Sequence, residues 1–302
     1  MSKIRHDRPI FWVKTNLPAI TLVLSILFVC IVLMVVSSKP VQVLAADEAA
    51  VLVGAGDISK CGHSGDSRTA KLLGIIPGTV FTTGDNVYDS GTYKEFINCY
   101  GPTWGQYKNR TRPVPGNHEY ETEGAAGYYS YFNVPEYYAY DQGTWRVYAL
   151  NSEIDTSAAG AQVQWLLADL AQNPRSCVMA YWHRPRWSSG DHHGSDSKMQ
   201  AIWDILFDAN AELVIAGHEH NYERFAPMNK NGDPVGVGLQ EIVVGTGGAN
   251  KYTFGGILPA SQVRNANTYG VIKLTLYSDR YEWEFVPVEG GTFTDRGSQN
   301  CH

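Results

Sequence analysis

Short apolar runs rich in β-branched residues recur along the chain, and each run is bounded by Gly, Pro or Asn. This pattern is typical of buried strands. It predicts seven strands, at residues 50–58, 79–87, 112–116, 144–151, 177–182, 212–216 and 241–244. Helical spacing of apolar residues predicts helices at 158–171 and 198–209, and a turn at Ser278-Asp279 predicts a hairpin of residues 269–277 and 280–288. Alternating strands and helices that end in a hairpin indicate an α/β domain with an antiparallel end.

An uncharged apolar stretch covers residues 17–38, which is long enough to span a bilayer as a helix of about 20 residues. Four basic residues precede it, so the positive-inside rule predicts that residues 1–16 are cytoplasmic. The stretch is either an uncleaved membrane anchor or the apolar part of a long signal peptide cleaved after Ala45. In both cases we expect a linker at residues 39–49 and a globular domain at residues 50–302, outside the cytoplasm on the cell membrane or secreted.

Four cysteines follow the apolar stretch, at positions Cys61, Cys99, Cys177 and Cys301. An even number of cysteines in an exported domain favours disulfides, and four allow three pairings. We expect Cys61–Cys99 and Cys177–Cys301, because this pairing ties neighbouring loops together and holds the C-terminal tail. Free or partly paired thiols are the alternative.

The charge of the chain is distributed unevenly. The net charge is −6, but the first 45 residues carry +4 and the remainder carries −10. An acidic body argues against a nucleic-acid-binding surface, which needs a basic footprint. If the domain acts on phosphates, positive charge must be supplied locally, and metal ions are the obvious source.

Side chains of types that bind metal ions lie at or just after the ends of five predicted strands. These are Asp57 at the end of the first strand, Asp85 and Tyr88 at the second, Asn117 after the third, His183 after the fifth, and His218 and His220 after the sixth. Ligands of open α/β sheets bind beyond the carboxyl ends of the strands, so we expect these side chains to converge. Alternate residues of an extended segment point to the same side, so His218 and His220 project together.

Three further histidines lie beside these positions, namely His118, His192 and His193. Each candidate has a structural explanation when it is taken alone; a Gly-Asp pair, for example, is usually a turn. All of these separate explanations would have to hold together to account for the ordered set. The sequence therefore predicts a metal site at one sheet edge.

The ordered motifs resemble those of the calcineurin-like metallophosphoesterases and, more narrowly, of the purple acid phosphatases. Residues 84–88, Gly-Asp-Asn-Val-Tyr, match the Gly-Asp-x-x-Tyr motif whose Tyr distinguishes that branch. Residues 217–224, Gly-His-Glu-His-Asn-Tyr-Glu-Arg, match its Gly-His-x-His-x-Tyr-Glu-Arg motif. The resemblance covers residues 51–288 and implies a four-layer α/β/β/α sandwich of two mixed sheets flanked by helices. The first motif departs from the usual Gly-Asp-x-Gly, which affects the expected loop geometry but not the ligand positions.

The resemblance also implies a pair of metal ions. One would be held by Asp57, Asp85, Tyr88 and His220, and the other by Asp85, Asn117, His183 and His218. In the family the first ion is Fe(III) and the second is Fe(II), Zn or Mn. The donors agree with this division, because the first set is rich in anionic oxygen and the second combines imidazoles with a neutral amide.

The remaining histidines match catalytic positions of the family. His118 matches a substrate-contacting histidine, and His192 and His193 match two more, of which His193 is our candidate for protonating the leaving alkoxide. The expected activity is hydrolysis of small-molecule phosphate monoesters by attack of a metal-bound hydroxide, with no nucleic-acid partner. Two alternatives are a phosphodiesterase or nucleotide pyrophosphatase on the same metals, and a catalytically inactive surface binding protein.

Overall fold

The structure is a computed structural model that describes residues 49–302. The predicted cytoplasmic segment, the anchor or signal segment, and residues 39–48 of the linker lie outside the described residues. Within residues 49–302, every helix is too short or too polar to cross a bilayer.

Fifteen strands are described. They are β1 (Ala50–Ala55), β2 (Ser59–Lys60), β3 (Thr79–Thr83), β4 (Val87–Tyr88), β5 (Thr111–Val114), β6 (Tyr138–Gln142), β7 (Trp145–Ala149), β8 (Val178–Tyr181), β9 (Leu213–Ala216), β10 (Tyr222–Phe225), β11 (Gln240–Val244), β12 (Ser261–Asn265), β13 (Gly270–Leu276), β14 (Arg280–Pro287) and β15 (Arg296–Asn300).

Six α-helices accompany the strands. They are α1 (Gly65–Ile75), α2 (Tyr93–Glu95, continued by a wider turn at Phe96–Tyr100), α3 (Asn117–Tyr120), α4 (Ala126–Phe132), α5 (Ala161–Gln172) and α6 (Gln200–Asp208). Short 3₁₀ turns occupy Trp104–Arg110, Glu123–Ala125 and Ser197–Met199.

Two large mixed sheets form the domain. The first has the strand order β15-β14-β13-β1-β3-β5, and the second has the order β12-β10-β11-β9-β8-β7-β6. In the first sheet β1, β3 and β5 are parallel, whereas β13, β14 and β15 are antiparallel. In the second sheet β7, β8, β9 and β11 are parallel. The parallel strands of each sheet therefore end at a common edge.

Alternation along β8 shows how the layers pack. Met179 and Tyr181 belong to the core between the sheets, where the Tyr181 ring lies 5.3 Å from the ring of Phe81 in β3. Val178 and Ala180 point the other way and pack with buried residues of α5 and α6. This is the period-two pattern of a strand buried on both faces. Helix α1 contacts β13 of the first sheet. The expected α/β/β/α sandwich is confirmed.

All seven predicted strands and the hairpin are present, with shifted ends. The segment predicted at 79–87 divides into β3 and β4, because Gly84 (φ 84°) and Asp85 (φ 47°) turn the chain between them. Helices α1 to α4 and five short strands (β2, β6, β10, β12 and β15) were not predicted. Strand β15 has the polar sequence Arg-Gly-Ser-Gln-Asn, and its extended form comes from backbone pairing with β14.

The cysteine pairing is as expected. Cys61 is bonded to Cys99, and Cys177 is bonded to Cys301. The second disulfide joins residues 124 positions apart and attaches the C-terminal strand to the start of β8.

Candidate metal centre

The predicted metal ligands meet where the parallel strands of both sheets end. Asp57 follows β1 and Asp85 follows β3 in the first sheet, whereas His183 follows β8 and His218 and His220 follow β9 in the second. All five residues are buried, with at most 5% of their surface exposed. The site therefore depends on the packing of two separate sheets against each other.

Three of these residues have left-handed backbone conformations. The φ angles are 60° at Asp57, 47° at Asp85 and 70° at His218, and six non-glycine residues with positive φ occur in residues 49–302. Such a conformation costs about 1–3 kcal/mol per residue and is found where surrounding structure enforces it. A glycine precedes each of them; at Gly84 an added Cβ would lie 2.7 Å from His183 Cβ. These sharp turns aim the side chains at one another.

Three of the side chains surround the Tyr88 hydroxyl. Tyr88 Oη lies 2.9 Å from Asp57 Oδ1, 3.1 Å from Asp85 Oδ2 and 3.1 Å from His220 Nε2. The hydroxyl has one proton and three neighbouring acceptor atoms, so it can donate a hydrogen bond to only one of them. Burial, followed by the charges of Asp57 and Asp85, raises the pKa of Tyr88 well above its usual value. A bound cation could accept electron pairs from all of these atoms, and Asp57, Asp85 and His220 have suitable geometry to hold one.

A second group adjoins the first. His183 Nε2 lies 3.4 Å from Asp85 Oδ2, 3.1 Å from Asn117 Oδ1 and 3.0 Å from His218 Nδ1. Asp85, His183 and His218 also have suitable geometry for a cation. Asp85 belongs to both groups, which is the position that the sequence predicts for a bridging ligand.

Backbone carbonyls determine which nitrogen of two histidines faces the centre. The Nδ1 atom of His183 lies 2.8 Å from the carbonyl oxygen of Thr83, and that of His220 contacts the carbonyl oxygen of Asn250. A carbonyl oxygen only accepts hydrogen bonds, so both Nδ1 atoms carry hydrogen and donate it. The Nε2 atoms then face Asp85 and Asp57, so each ring presents Nε2 on the side where a metal ion would lie.

The charges of the central residues shift one another's pKa values. Burial raises the pKa of Asp85, but His183 and His118 outweigh burial and hold it well below its usual range. Burial lowers the pKa of His183, but the Asp85 carboxylate outweighs burial and raises it to about 10. Burial, and then the charge of His183, lower the pKa of His218. Each charge in the cluster is thus tolerated only because an opposite charge touches it.

The three histidines with predicted catalytic roles lie at the mouth of the cluster. The backbone N–H of His118 donates to Asp85 Oδ1 at 3.0 Å. The His193 ring stacks on His218 with centroids 3.8 Å apart, and the His192 ring lies 4.5 Å from that of His193. Burial and the charge of His192 lower the pKa of His193 to about 4. The structure therefore brings all ten predicted site residues together; their roles as ligands and catalysts stay predictions.

Two contributors were not predicted. The Tyr252 ring stacks on His220 and also lies against His192, with both centroid distances at 4.0 Å. Its only signal in the sequence is its place in the loop after the strand predicted at 241–244, which ends at the same sheet edge. Glu119 is fully buried and accepts hydrogen bonds from the backbone N–H groups of Val87 and Gly116. Burial, followed by the charge of Asp85, raises the pKa of Glu119 to about 8.

Comparison with known proteins agrees with this geometry. The calcineurin-like phosphoesterase family matches residues 50–222. The chain belongs to the calcineurin-like phosphoesterase family.

The matched relatives include purple acid phosphatases. Purple acid phosphatase 21 of Arabidopsis thaliana is 30% identical over 183 residues, covering 51% of this chain and 41% of the relative. Purple acid phosphatase 15 of the same plant is 28% identical over 236 residues, covering 64% of this chain and 44% of the relative. The chain thus spans less than half the length of these curated relatives.

A solved structure shows the same fold. Purple acid phosphatase PPD1 from yellow lupin (Lupinus luteus) seeds matches 83% of this chain and 54% of its own, with a TM-score of 0.70 and 20% identity. Together with the relatives, this match supports placement in the purple acid phosphatase-like branch.

Replacing Asp85 by Asn should reduce the metal content of the purified protein from about two ions per chain to below one, because a neutral amide cannot bridge two cations as a carboxylate does. Elemental analysis of protein loaded with iron and zinc measures this. Glu212→Gln, at another buried carboxylate outside the cluster, is the matched control. Full metal content in Asp85→Asn would remove Asp85 from the bridging position.

Proposed function

We propose that the protein hydrolyses phosphate monoesters at a dinuclear metal centre. The observation that supports this most directly is the position of Asp85, which belongs to two adjoining groups of buried ligands. A shared carboxylate between two ligand groups is the arrangement needed to hold two ions close together. The membership of the chain in the phosphoesterase family makes a phosphate ester the natural substrate class.

The donor chemistry suggests which ions would bind. The group of Asp57, Asp85, Tyr88 and His220 contains three oxygen donors that can be anionic, and it would suit Fe(III). The group with Asn117, His183 and His218 contains neutral donors beside Asp85, and it would suit Fe(II), Zn or Mn. When bound, the two ions supply positive charge for the phosphoryl oxygens and acidify water.

The protein's own residues would orient and protonate the substrate. His118 is partly exposed and lies beside Asp85, where it can contact a phosphoryl oxygen. His192 and His193 are exposed at the mouth, on the side of His218. A protonated histidine in this position can deliver its proton to the departing alkoxide oxygen. The lowered pKa of His193 means that this form is populated mainly at acidic pH.

We also propose that the domain works outside the cytoplasm. The two disulfides in the described residues support an oxidising compartment. The uncharged stretch at residues 17–38 supports either a membrane anchor or a cleaved signal segment.

The monoester preference is tested with paired chromogenic substrates. We expect 4-nitrophenyl phosphate to be hydrolysed at least about tenfold faster, as kcat/KM, than bis(4-nitrophenyl) phosphate. The reason is that a dianionic monoester presents more oxygens to a charged centre than a diester does. The reverse preference would indicate a phosphodiesterase on the same centre, and hydrolysis of neither ester would indicate an inactive binding protein.

The identity of the metals is tested by visible spectroscopy. Iron-loaded protein should show a charge-transfer band from tyrosinate to Fe(III), and Tyr88→Phe should lose the band because it lacks the phenolic oxygen. Tyr252→Phe is the matched control, since Tyr252 is also an aromatic neighbour of His220. A purified protein with zinc or manganese at both positions and no band would contradict the assignment of iron.

The acid role of His193 is tested by varying the leaving group. His193→Ala should slow hydrolysis of an alkyl phosphate by about 10²–10³-fold, because a poor leaving group needs the proton. Hydrolysis of 4-nitrophenyl phosphate should change much less, since nitrophenolate leaves unprotonated. The exposed histidine His63, outside the cluster, provides the control variant His63→Ala. Equal losses on both esters would remove His193 from the acid role.

A further inference from the structure

Three buried glutamates hold the loop that carries His192 and His193. The loop follows β8 and covers residues 184–195, and the glutamates come from the neighbouring segments of the second sheet. They are Glu219, Glu223 and Glu241, and each is fully buried.

Two of the glutamates hold the first half of the loop. Glu241 in β11 accepts hydrogen bonds from the backbone N–H groups of Arg186 (2.9 Å) and Trp187 (2.8 Å). Glu223 in β10 accepts one from the backbone N–H of Ser189 at 2.8 Å. A carboxylate that accepts backbone N–H bonds fixes the path of the chain in a way that side-chain packing alone does not.

Glu219 holds the second half of the loop at the histidines themselves. Its Oε1 atom accepts hydrogen bonds from the backbone N–H groups of His193 and Gly194. Its other oxygen, Oε2, has no hydrogen-bond partner in residues 49–302 and faces Gly190, where an added Cβ would lie 2.4 Å away. The carboxylate is therefore enclosed by the loop that it binds.

Glu219 also lies between two predicted metal ligands in the sequence. His218 precedes it and His220 follows it, so its backbone is part of the segment that carries both. The ring of His193 stacks on His218 with centroids 3.8 Å apart and planes 20° apart. The hydrogen bond from the His193 backbone to Glu219 thus connects His193 to the segment that carries His218, and the His193 ring stacks on the ring of His218.

We propose that Glu219 is a positioning residue that sets the place of His193 over the metal centre. This inference depends on the proposed function, because it assigns Glu219 a part in delivering the His193 proton. The important atom is the single oxygen that accepts both N–H groups. A glutamine in the same place can supply that oxygen, whereas a methionine of similar length cannot.

The experiment compares Glu219→Met with Glu219→Gln. Glu219→Met should lower kcat for an alkyl phosphate about 10–100-fold more than kcat for 4-nitrophenyl phosphate, with the metal content unchanged. Glu219→Gln should restore most of the alkyl phosphate rate. In a His193→Ala background, Glu219→Met should have no further effect on the ratio of the two rates, since the two residues act as a unit.

Hydrogen exchange provides a readout that does not depend on activity. The amides of His193 and Gly194 should exchange about tenfold faster in Glu219→Met, because their acceptor is lost. Glu241→Gln is the matched control: it loosens the same loop at Arg186 or Trp187 and should lower thermal stability without changing the ratio of rates.

Two different failures are distinguishable. If the wild-type protein hydrolyses both esters and Glu219→Met keeps the same ratio of rates, Glu219 does not position His193 and the proposed function stands. The inference would also be overturned if Glu241→Gln lowered the ratio of the alkyl phosphate rate to the 4-nitrophenyl phosphate rate as much as Glu219→Met does. Any loosening of the loop would then have the same effect. If the wild-type protein hydrolyses neither ester, the proposed function fails and the inference fails with it.

Discussion

Two buried carboxylates, Asp57 and Asp85, face a single phenolic proton on Tyr88, and the rest of the structure is organised around that constraint. Burying a carboxylate without a partner is strongly unfavourable. The second sheet supplies a partner for each carboxylate: the backbone N–H of His218 donates to Asp57 at 2.9 Å, and His183 Nε2 lies 3.4 Å from Asp85 Oδ2. The two sheets must therefore pack together for either carboxylate to be stable, and cations would complete the neutralisation.

Buried acidic residues have a second use around the centre. Glu119 joins the turn after β3 to the turn after β5 through its bonds to Val87 and Gly116. Glu219, Glu223 and Glu241 hold the loop after β8 in the same manner. In each case a carboxylate satisfies backbone N–H groups that an irregular loop would otherwise leave without partners. The loops around the site are thus shaped by acceptors buried beneath them.

Much of the site was predictable because its ligands follow recognisable strands. Apolar runs predict where strands end, and the carboxyl ends of parallel strands share an edge. The trailing Tyr-Glu-Arg of residues 222–224 identified the branch of the family but had no visible chemistry in the sequence. In the structure Glu223 binds the backbone of Ser189, and Arg224 pairs with Asp295 at 2.6 Å. Their partners lie 34 and 71 positions away, beyond the reach of any local pattern.

The sequence by itself determined which predicted strand each candidate ligand follows, the acidic charge of the domain and the family. These features depend on residue type and short-range spacing. Only the tertiary structure decided which nitrogen of His183 and His220 faces the centre, since that depends on carbonyls of Thr83 and Asn250. It also decided the edge strand β15 and the stacking of Tyr252, which rest on backbone pairing and contact between distant segments. Periodicity records how a residue relates to its neighbours in the chain, whereas a metal centre is made from residues that meet only after two sheets have packed.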